Sequence, residues 1–330
     1  MTQSEFLQDL EAFLQEWQND EPTVWVQTSG STVTPKPMQV EKMRMEASAR
    51  LTCSFLGLKE GDSALLCMPL QYIAGKMVVV RSLVAGLNLI PVTPSGHPLK
   101  DMKEAPTFAA MIPMQVYNTL QVPEERAKLM EIKHLIIGGG AIDDSLANEL
   151  KSFPNQVWST YGMTETLSHI ALRRLNGTDA SDWYTPFDNV RIRLSEEGTL
   201  IIHAPNVCAE ELTTNDIAEI NEEGKFRILG RKDNTINSGG VKIQIEQGEA
   251  TLRAHLDIPF QITARKDAKF GEIVVLIYNK VENEDDIRRV CESELPTYWV
   301  PKAYIAVDEL PMTGTGKPDR ASARRIANGE

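Results

Sequence analysis

The sequence lacks any long apolar run, and none approaches the ~20 residues that a membrane-spanning helix needs. Basic residues are also few: 34 Lys and Arg stand against 46 Asp and Glu, so the net charge is −12. This balance argues against a broad nucleic-acid surface and favours a freely soluble protein. Any anionic ligand must be held by local donors. The N-terminal segment is acidic and amphipathic, so we expect neither a signal nor a transit peptide there.

Cysteine and histidine are sparse and show no ligand spacing. The four cysteines contain no Cys-x-x-Cys pair, and the five histidines form no His-Glu-x-x-His motif. The pattern indicates reduced thiols in a cytoplasmic protein and gives no sign of a structural metal held by the protein. The cysteines are Cys53, Cys67, Cys208 and Cys291.

A chain of 330 residues is long enough for one large domain and a smaller one. Apolar strand-like runs alternate with helical stretches up to about residue 160, which predicts an α/β body with a mainly parallel sheet. Ser4 is predicted to cap a first helix that covers this sheet. The predicted strands are 23–27, 63–68, 87–92, 108–112, 132–137 and 156–159.

The texture changes near Asp188, where short alternating strands joined by Glu-Gly turns predict a small antiparallel module. A new α+β pattern starts after Asp233. We therefore predict a body over residues 1–232 and a smaller domain over residues 233–330.

The loop at residues 28–36 combines short hydroxyl side chains, one glycine and one lysine. Backbone N–H groups, hydroxyls and a point charge suit a phosphate chain. A polar hairpin turn explains the loop equally well, and the Gly-Lys-Ser/Thr ending of a Walker A loop is missing. Its candidate phosphate-binding residues are Thr28, Ser29, Gly30, Ser31, Thr32 and Lys36.

Two further motifs stand at the ends of predicted strands, where parallel sheets bind ligands. Gly138, Gly139 and Gly140 would let the backbone approach a flat ligand, although a tight turn is the simpler interpretation. The segment Ser159–Thr166 offers an aromatic ring at Tyr161 and a hydroxyl and a carboxylate further along. These groups could stack a base, contact a phosphate and hold Mg²⁺, or simply begin a polar helix.

Two motifs follow in the second half of the chain. Asp216 in Thr214-Asn215-Asp216 precedes Arg231 by fifteen residues, and such a pair could hold a ribose or form an ordinary surface ion pair. A Gly/Thr loop over residues 311–320 presents Lys317.

Taken together and in this order, these motifs resemble the adenylate-forming superfamily of acyl-CoA and aryl-CoA synthetases, adenylation domains and luciferases. The resemblance covers residues 23–320 and includes Gly-Arg-x-Asp at 230–233, Ser-Gly-Gly at 238–240 and Gly-Lys at 316–317. Within the superfamily, the regions 69–75 and 138–141 look most like the o-succinylbenzoate–CoA ligases of menaquinone biosynthesis.

The resemblance implies an ATP-dependent acid–CoA ligase that forms an acyl-adenylate and uses ATP, Mg²⁺ and coenzyme A. The loop at 28–36 would hold the β- and γ-phosphates, while the glycines at 138–140 and Tyr161 would enclose adenine. Thr164 would contact the α-phosphate and Glu165 would hold Mg²⁺. Asp216 and Arg231 would bind the ribose.

The C-terminal part would move as a lid. Lys317 would bridge the acyl carboxylate and the α-phosphate during adenylation. Asp233 would be the hinge, and Ser238, Gly239 and Gly240 would line the tunnel for the CoA arm.

The acid-binding residues implied by the resemblance are less specific. Tyr72 stands where relatives often have histidine, and Ser168 and His169 are pocket candidates, His169 being equally compatible with a core role. Arg81 lies in an apolar helical run, where it either snorkels to the surface or awaits a second substrate carboxylate. We favour the first alternative for Arg81.

Two departures from the superfamily pattern leave other functions open. Val33 replaces a glycine of the phosphate loop, and only 27 residues precede that loop, so part of the usual front is absent. A β-branched residue does not readily adopt φ > 0. The alternatives are an adenylation enzyme that loads a carrier protein and a non-catalytic nucleotide- or acyl-adenylate-binding relative. We expect small-molecule partners, no nucleic acid and no membrane, and a homo-oligomer could cover apolar surface that the short front exposes.

Overall fold

The computed structural model describes residues 1–27, 37–140, 142, 144–280, 283–313 and 318–330. The predicted phosphate loop and the Gly-Lys motif at 316–317 therefore lie outside the described residues. No helix in these described ranges is long and apolar enough to cross a membrane.

A seven-stranded sheet forms the centre of the body. Its strands are β3 (Ser63–Leu66), β4 (Asn88–Pro91), β5 (Phe108–Met111), β6 (His134–Ile137), β7 (Gln156–Gly162), β8 (His169–Arg174) and β9 (Thr185–Pro186). They run in the order β4-β3-β5-β6-β7-β8-β9, parallel from β4 to β7 and antiparallel thereafter. Strands β5 and β6 are buried at every residue, as expected for covered parallel strands. The α/β prediction with a mainly parallel sheet is confirmed, although β8 and β9 were not predicted.

Helices stand before these strands and between them in the chain. They are α1 (Gln3–Gln18), α2 (Lys42–Leu56), α3 (Ile73–Ala85), α4 (Pro113–Leu120), α5 (Pro123–Glu131) and α6 (Asp144–Leu150). Helix α3 packs on β3 and is itself covered by α2, so every residue from Gly75 to Ser82 is buried. A largely apolar helix is expected to be enclosed in this way.

The first helix differs from the prediction at its start. Thr2, not Ser4, is the N-cap: its hydroxyl accepts from the Glu5 amide while the Glu5 carboxylate accepts from the Thr2 amide. Ser4 lies inside the helix. The capping box needs a hydroxyl side chain three positions before Glu5, and the residue there is Thr2.

A hairpin precedes the large sheet. Strand β1 (Thr23–Gln27) pairs antiparallel with β2 (Pro37–Glu41), and Gln27 lies opposite Pro37. Gln27 also bridges to Tyr72 at the start of α3. The hairpin thus lies next to the start of α3.

The antiparallel module predicted after Asp188 is a four-stranded sheet. Its strands are β10 (Arg191–Leu194), β11 (Thr199–His203), β12 (Leu212–Ile220) and β13 (Phe226–Arg231), in that order. Strand β12 was not predicted from the sequence. It carries the Thr-x-Asp motif, whose polar residues break the apolar alternation.

The C-terminal part has its own sheet and cores. Its elements are β14 (Thr235–Ser238), β15 (Val241–Gln244), α7 (Ile245–Arg253), β16 (Phe260–Asp267), β17 (Gly271–Asn279), α8 (Glu284–Glu294), β18 (Ala303–Val307) and α9 (Arg320–Asn328). Buried apolar residues up to Phe226 form one cluster, and those from Ile236 onward form two others. This separation supports a boundary near Asp233, which stays a prediction.

Gly75 in the first turn of α3 provides a test of this packing. A Cβ at this position would lie 2.5 Å from the Pro69 carbonyl oxygen and 2.9 Å from that of Met68. Since these are backbone atoms, Gly75→Ala should lower the free energy of unfolding by roughly 1–3 kcal/mol. Gly140→Ala is the control, because its Cβ would meet Pro113 only at 3.6 Å. Denaturant midpoints that shift equally in both variants would contradict the packing described here.

Candidate functional site

The Asp216 carboxylate is the centre of the candidate site. Antiparallel pairing of β12 and β13 places Asp216 directly opposite Arg231, whose guanidinium donates to Asp216 Oδ1 at 3.1 Å. Thr214 fixes the backbone beneath it, because its hydroxyl donates to the Leu200 carbonyl and accepts from the Asp216 amide. Asp216 is only 9% exposed. The two residues predicted to hold a ribose are therefore brought together.

Tyr161 joins this pair from the large sheet. Its hydroxyl donates to Asp216 Oδ2 at 2.6 Å. Burial, and then the adjacent Asp216 charge, raise the pKa of Tyr161 well above its usual range. The ring packs edge-on against Phe226 and beside Tyr184. The end of β7 is thereby fixed to the antiparallel module.

The three glycines lie at the end of the neighbouring strand. Gly138 continues β6, and a Cβ there would lie 2.3 Å from Oγ1 of Thr160, the residue before Tyr161. Gly139 has φ +79°, a conformation that favours glycine. Gly138 must therefore remain without a side chain for β6 and β7 to approach here.

The loop after β7 is tight. Thr166 Oγ1 accepts from the Met163 amide, and a Cβ at Gly162 would lie 2.2 Å from the Ser168 carbonyl oxygen. Leu167 is buried with φ +63°, which is a strained conformation for a residue other than glycine. Thr164 is buried in this loop and Glu165 is exposed. Strain of this kind is characteristic of functional loops.

Arg81 is not at the surface, so the snorkelling interpretation is wrong. It is 2% exposed, because both α2 and the sheet cover α3. Its guanidinium donates to Ser168 Oγ at 2.5 Å, and its Nε has no hydrogen-bond partner among the described residues. Burial lowers the pKa of Arg81 to about 10, so it remains charged at neutral pH. Among the described residues, no carboxylate pairs with this cation.

Ser168 and His169 lie beside Arg81. Ser168 Oγ is 3.2 Å from His169 Nδ1, and His169 Nε2 is 3.0 Å from the Thr52 hydroxyl. His169 pairs with Gly162 across β7 and β8. Arg81, Ser168 and His169 therefore lie next to the strand end that carries Tyr161.

Other predicted residues are more distant or lie outside the described ranges. Tyr72 begins α3 nine residues before Arg81, which is roughly 13 Å along the helix axis. Asp233 accepts from Arg231 at 2.8 Å, so the hydrogen bonds around Asp216 extend to the start of the C-terminal part. Ser238 ends β14, and Gly239 and Gly240, with φ +58° and +86°, form the β14–β15 turn. Among the described residues, no hydrogen bond joins this turn to Asp216. The candidates at 28–36 and Lys317 fall outside the description.

Several contributors were missed by the sequence analysis. Tyr184 and Phe226 stack on one another and pack against Tyr161, and Thr52 contacts His169 from α2. An aromatic residue at a strand end is a weak signal in a sequence, and a threonine inside a helix gives none.

A metal ion and a nucleotide can be tested against these residues. No group of three or more His, Cys, Asp or Glu side chains that could hold a metal occurs among the residues described. Glu165 alone is exposed in the loop after β7. One carboxylate together with phosphate oxygens is a usual coordination for Mg²⁺, so the residues fit a metal brought by a nucleotide.

Comparison with known proteins identifies the class. The sequence profile of the AMP-binding enzyme family matches residues 3–208, and the profile of the AMP-binding enzyme C-terminal domain matches residues 262–317. Because the first covers more than half of the chain, the protein belongs to the AMP-binding enzyme family.

Individual relatives and solved structures show which enzymes of this family the chain is similar to. The 2-succinylbenzoate–CoA ligase of Bacillus mycoides is 26% identical, and the match covers 96% of this chain and 73% of that protein. The crystal structure of an acyl-CoA synthetase (AMP-forming)/AMP-acid ligase II-like protein from Dyadobacter fermentans is 31% identical, with a TM-score of 0.67, over 96% of this chain and 93% of that one. The o-succinylbenzoate CoA synthetase of Bacillus subtilis, solved with its acyl-adenylate intermediate, shares the fold at 22% identity and a TM-score of 0.75, over 91% of this chain and 68% of that one.

The Tyr161–Asp216 contact predicts a dependence of stability on alkaline pH. The pKa of Tyr161 is raised in the folded protein, whereas an unfolded tyrosine ionises near pH 10. The contribution is therefore complete below pH 10 and is lost as the pH rises above it. Wild-type unfolding free energy should fall more steeply above pH 10 than that of Tyr161→Phe, by up to about 1.4 kcal/mol per pH unit. Parallel denaturation curves from pH 9 to 11 would argue against this contact.

Proposed function

We propose that the protein is an ATP-dependent acid–CoA ligase that proceeds through an acyl-adenylate, with o-succinylbenzoate as the acid. The observation that carries the proposal is the convergence of Tyr161, Asp216 and Arg231, from three separate motifs, on one hydrogen-bonded group. Membership of the AMP-binding enzyme family and the similarity to 2-succinylbenzoate–CoA ligases support it.

In this proposal Asp216, Arg231 and Tyr161 bind the nucleotide. The carboxylate would accept from the ribose hydroxyls while the Arg231 guanidinium holds it in orientation. The bare backbone at 138–140 and the Tyr161 ring would receive adenine. Asp233, hydrogen-bonded to Arg231, would act as the hinge between residues 1–232 and 233–330, and Ser238–Gly240 would line the CoA tunnel.

A carboxylate and a triphosphate are both anions, so bringing them together requires positive charge. Because the chain carries a net charge of −12, that charge must be supplied locally. Thr164 would contact the α-phosphate, and the loop 28–36 would hold the outer phosphates. Glu165 would hold Mg²⁺, which neutralises phosphate charge when it is bound. Lys317 would lie between the acyl carboxylate and the α-phosphate, where it stabilises charge as the adenylate forms. A turn of the lid would then exchange Lys317 for the CoA tunnel.

Arg81 supports a diacid as substrate. A buried guanidinium with an unpartnered Nε and no carboxylate partner among the described residues is costly unless a ligand supplies the anion. o-Succinylbenzoate has a second carboxylate, on its ring, that would pair with Arg81 while the other is activated. Tyr72 would line the same pocket from the other end of α3.

Two other functions compete with this proposal. A carrier-loading adenylation enzyme would transfer the acyl group to a phosphopantetheine arm instead of free CoA. A non-catalytic relative is suggested by Val33, which stands where the superfamily has glycine in the phosphate loop. Restoring glycine at position 33 tests whether that residue slows adenylation. A cytoplasmic location, supported by four free cysteines, and a homo-oligomer stay proposals.

Lys317→Ala separates the two half-reactions. Because Lys317 would act only during adenylation, the variant should lose pyrophosphate release almost completely while still forming thioester from supplied acyl-adenylate and CoA. Lys103→Ala, which changes an exposed lysine elsewhere, is the control for both assays. Equal loss of both half-reactions in Lys317→Ala would contradict the assigned role.

Arg81→Met tests the acid. Since a hydrogen bond to a charged group is worth about 1.5–3 kcal/mol, KM for o-succinylbenzoate should rise roughly 10- to 100-fold. KM for 3-benzoylpropionate, which lacks the ring carboxylate, should change little. Arg50→Met on the exposed side of α2 is the matched control. Equal effects on the two acids would remove Arg81 from the acid site.

A further inference from the structure

A continuous chain of hydrogen bonds leads from Arg81 to α2. It runs from the guanidinium to Ser168 Oγ, then to the two ring nitrogens of His169, and then to the Thr52 hydroxyl. Thr52 is fully buried and His169 is 7% exposed. With partners on both ring nitrogens, His169 is not free to contact a substrate.

One assignment of protons gives every hydrogen bond along these side chains a donor and an acceptor. A consistent assignment has the Thr52 hydroxyl donate its one proton to the Ser48 carbonyl, 3.3 Å away, and accept from His169 Nε2 at 3.0 Å, because the carbonyl oxygen can only accept. Nε2 of His169 therefore carries a proton. Burial, and then the Arg81 charge, hold the pKa of His169 well below its usual range, so the ring is neutral and Nδ1 has a free lone pair.

The consequence reaches Ser168. In the same assignment its hydroxyl donates to His169 Nδ1, so only oxygen lone pairs face Arg81. The neutral ring adds no second positive charge. The guanidinium is thereby held by an acceptor that cannot reverse its direction.

We propose that Thr52 and His169 are positioning residues that, through Ser168, orient Arg81 toward the second carboxylate of the acid substrate. This inference rests on the proposed function, and it adds that selectivity for a diacid depends on a helix residue that does not contact Arg81. Thr52 sets the tautomer of His169, and the tautomer sets the direction of the Ser168 hydroxyl.

Thr52→Val and Thr52→Ser test the proposal as a pair in the full-length chain. Valine preserves the shape but removes the acceptor for His169 Nε2–H, whereas serine keeps it. With one neutral hydrogen bond lost, KM for o-succinylbenzoate should rise about 3- to 10-fold in Thr52→Val, while kcat and the KM for 3-benzoylpropionate remain within about twofold. Thr52→Ser should restore the wild-type KM. An unchanged KM ratio between the two acids in Thr52→Val, or failure of serine to restore it, would overturn the proposal.

The tautomer itself provides a readout that does not depend on activity. Nitrogen-15 NMR of the wild-type protein at pH 7 should show His169 as the neutral Nε2–H tautomer, and Thr52→Val should populate the Nδ1–H form. A charged ring, or an Nδ1–H ring in the wild type, would overturn the proposal even if Thr52→Val failed to fold. A wild-type enzyme that does not prefer o-succinylbenzoate to 3-benzoylpropionate would instead contradict the proposed function. It would leave the chain of hydrogen bonds from Arg81 to Thr52 uncontradicted.

Discussion

The contact on which the site depends is the shared Asp216 carboxylate. One oxygen accepts from Tyr161 at the end of the parallel sheet, and the other accepts from Arg231 on the next strand of the antiparallel module. Arg231 also donates to Asp233, where the second core begins a few residues later. A single buried anion therefore connects three parts of the chain. Removing it would leave a phenol and a guanidinium facing one another without a common acceptor.

Arg81 poses the opposite problem, a buried cation without an anion among the described residues. Its hydrogen bond to Ser168 provides a neutral acceptor, but its Nε remains unpartnered. Such an arrangement weakens the folded state, and it is explicable when a ligand completes it. The strained Leu167, one residue before Ser168, fits the same interpretation, because loops that hold a ligand often store strain.

Sequence patterns predicted the parallel sheet, since β5 and β6 are short apolar runs that only a covered strand explains. They also singled out Asp216 and Arg231, fifteen residues apart, as a pair, and the two do hydrogen-bond. They did not predict β12, whose polar residues break the alternation, or the burial of Arg81. A charge in an apolar helix is compatible with snorkelling unless a second helix covers it, and α2 does so through contacts distant in sequence. The Thr52–His169 contact, between residues 117 apart, left no trace in any local pattern.

The central claim is that these groups serve the activation of a diacid by ATP. Pyrophosphate release measured with ATP and Mg²⁺ against a panel of o-succinylbenzoate, benzoate and fatty acids tests it most directly. We expect release that depends on the added acid and is fastest with o-succinylbenzoate. Binding of ATP without pyrophosphate release for any acid in the panel would contradict it and would favour a non-catalytic relative.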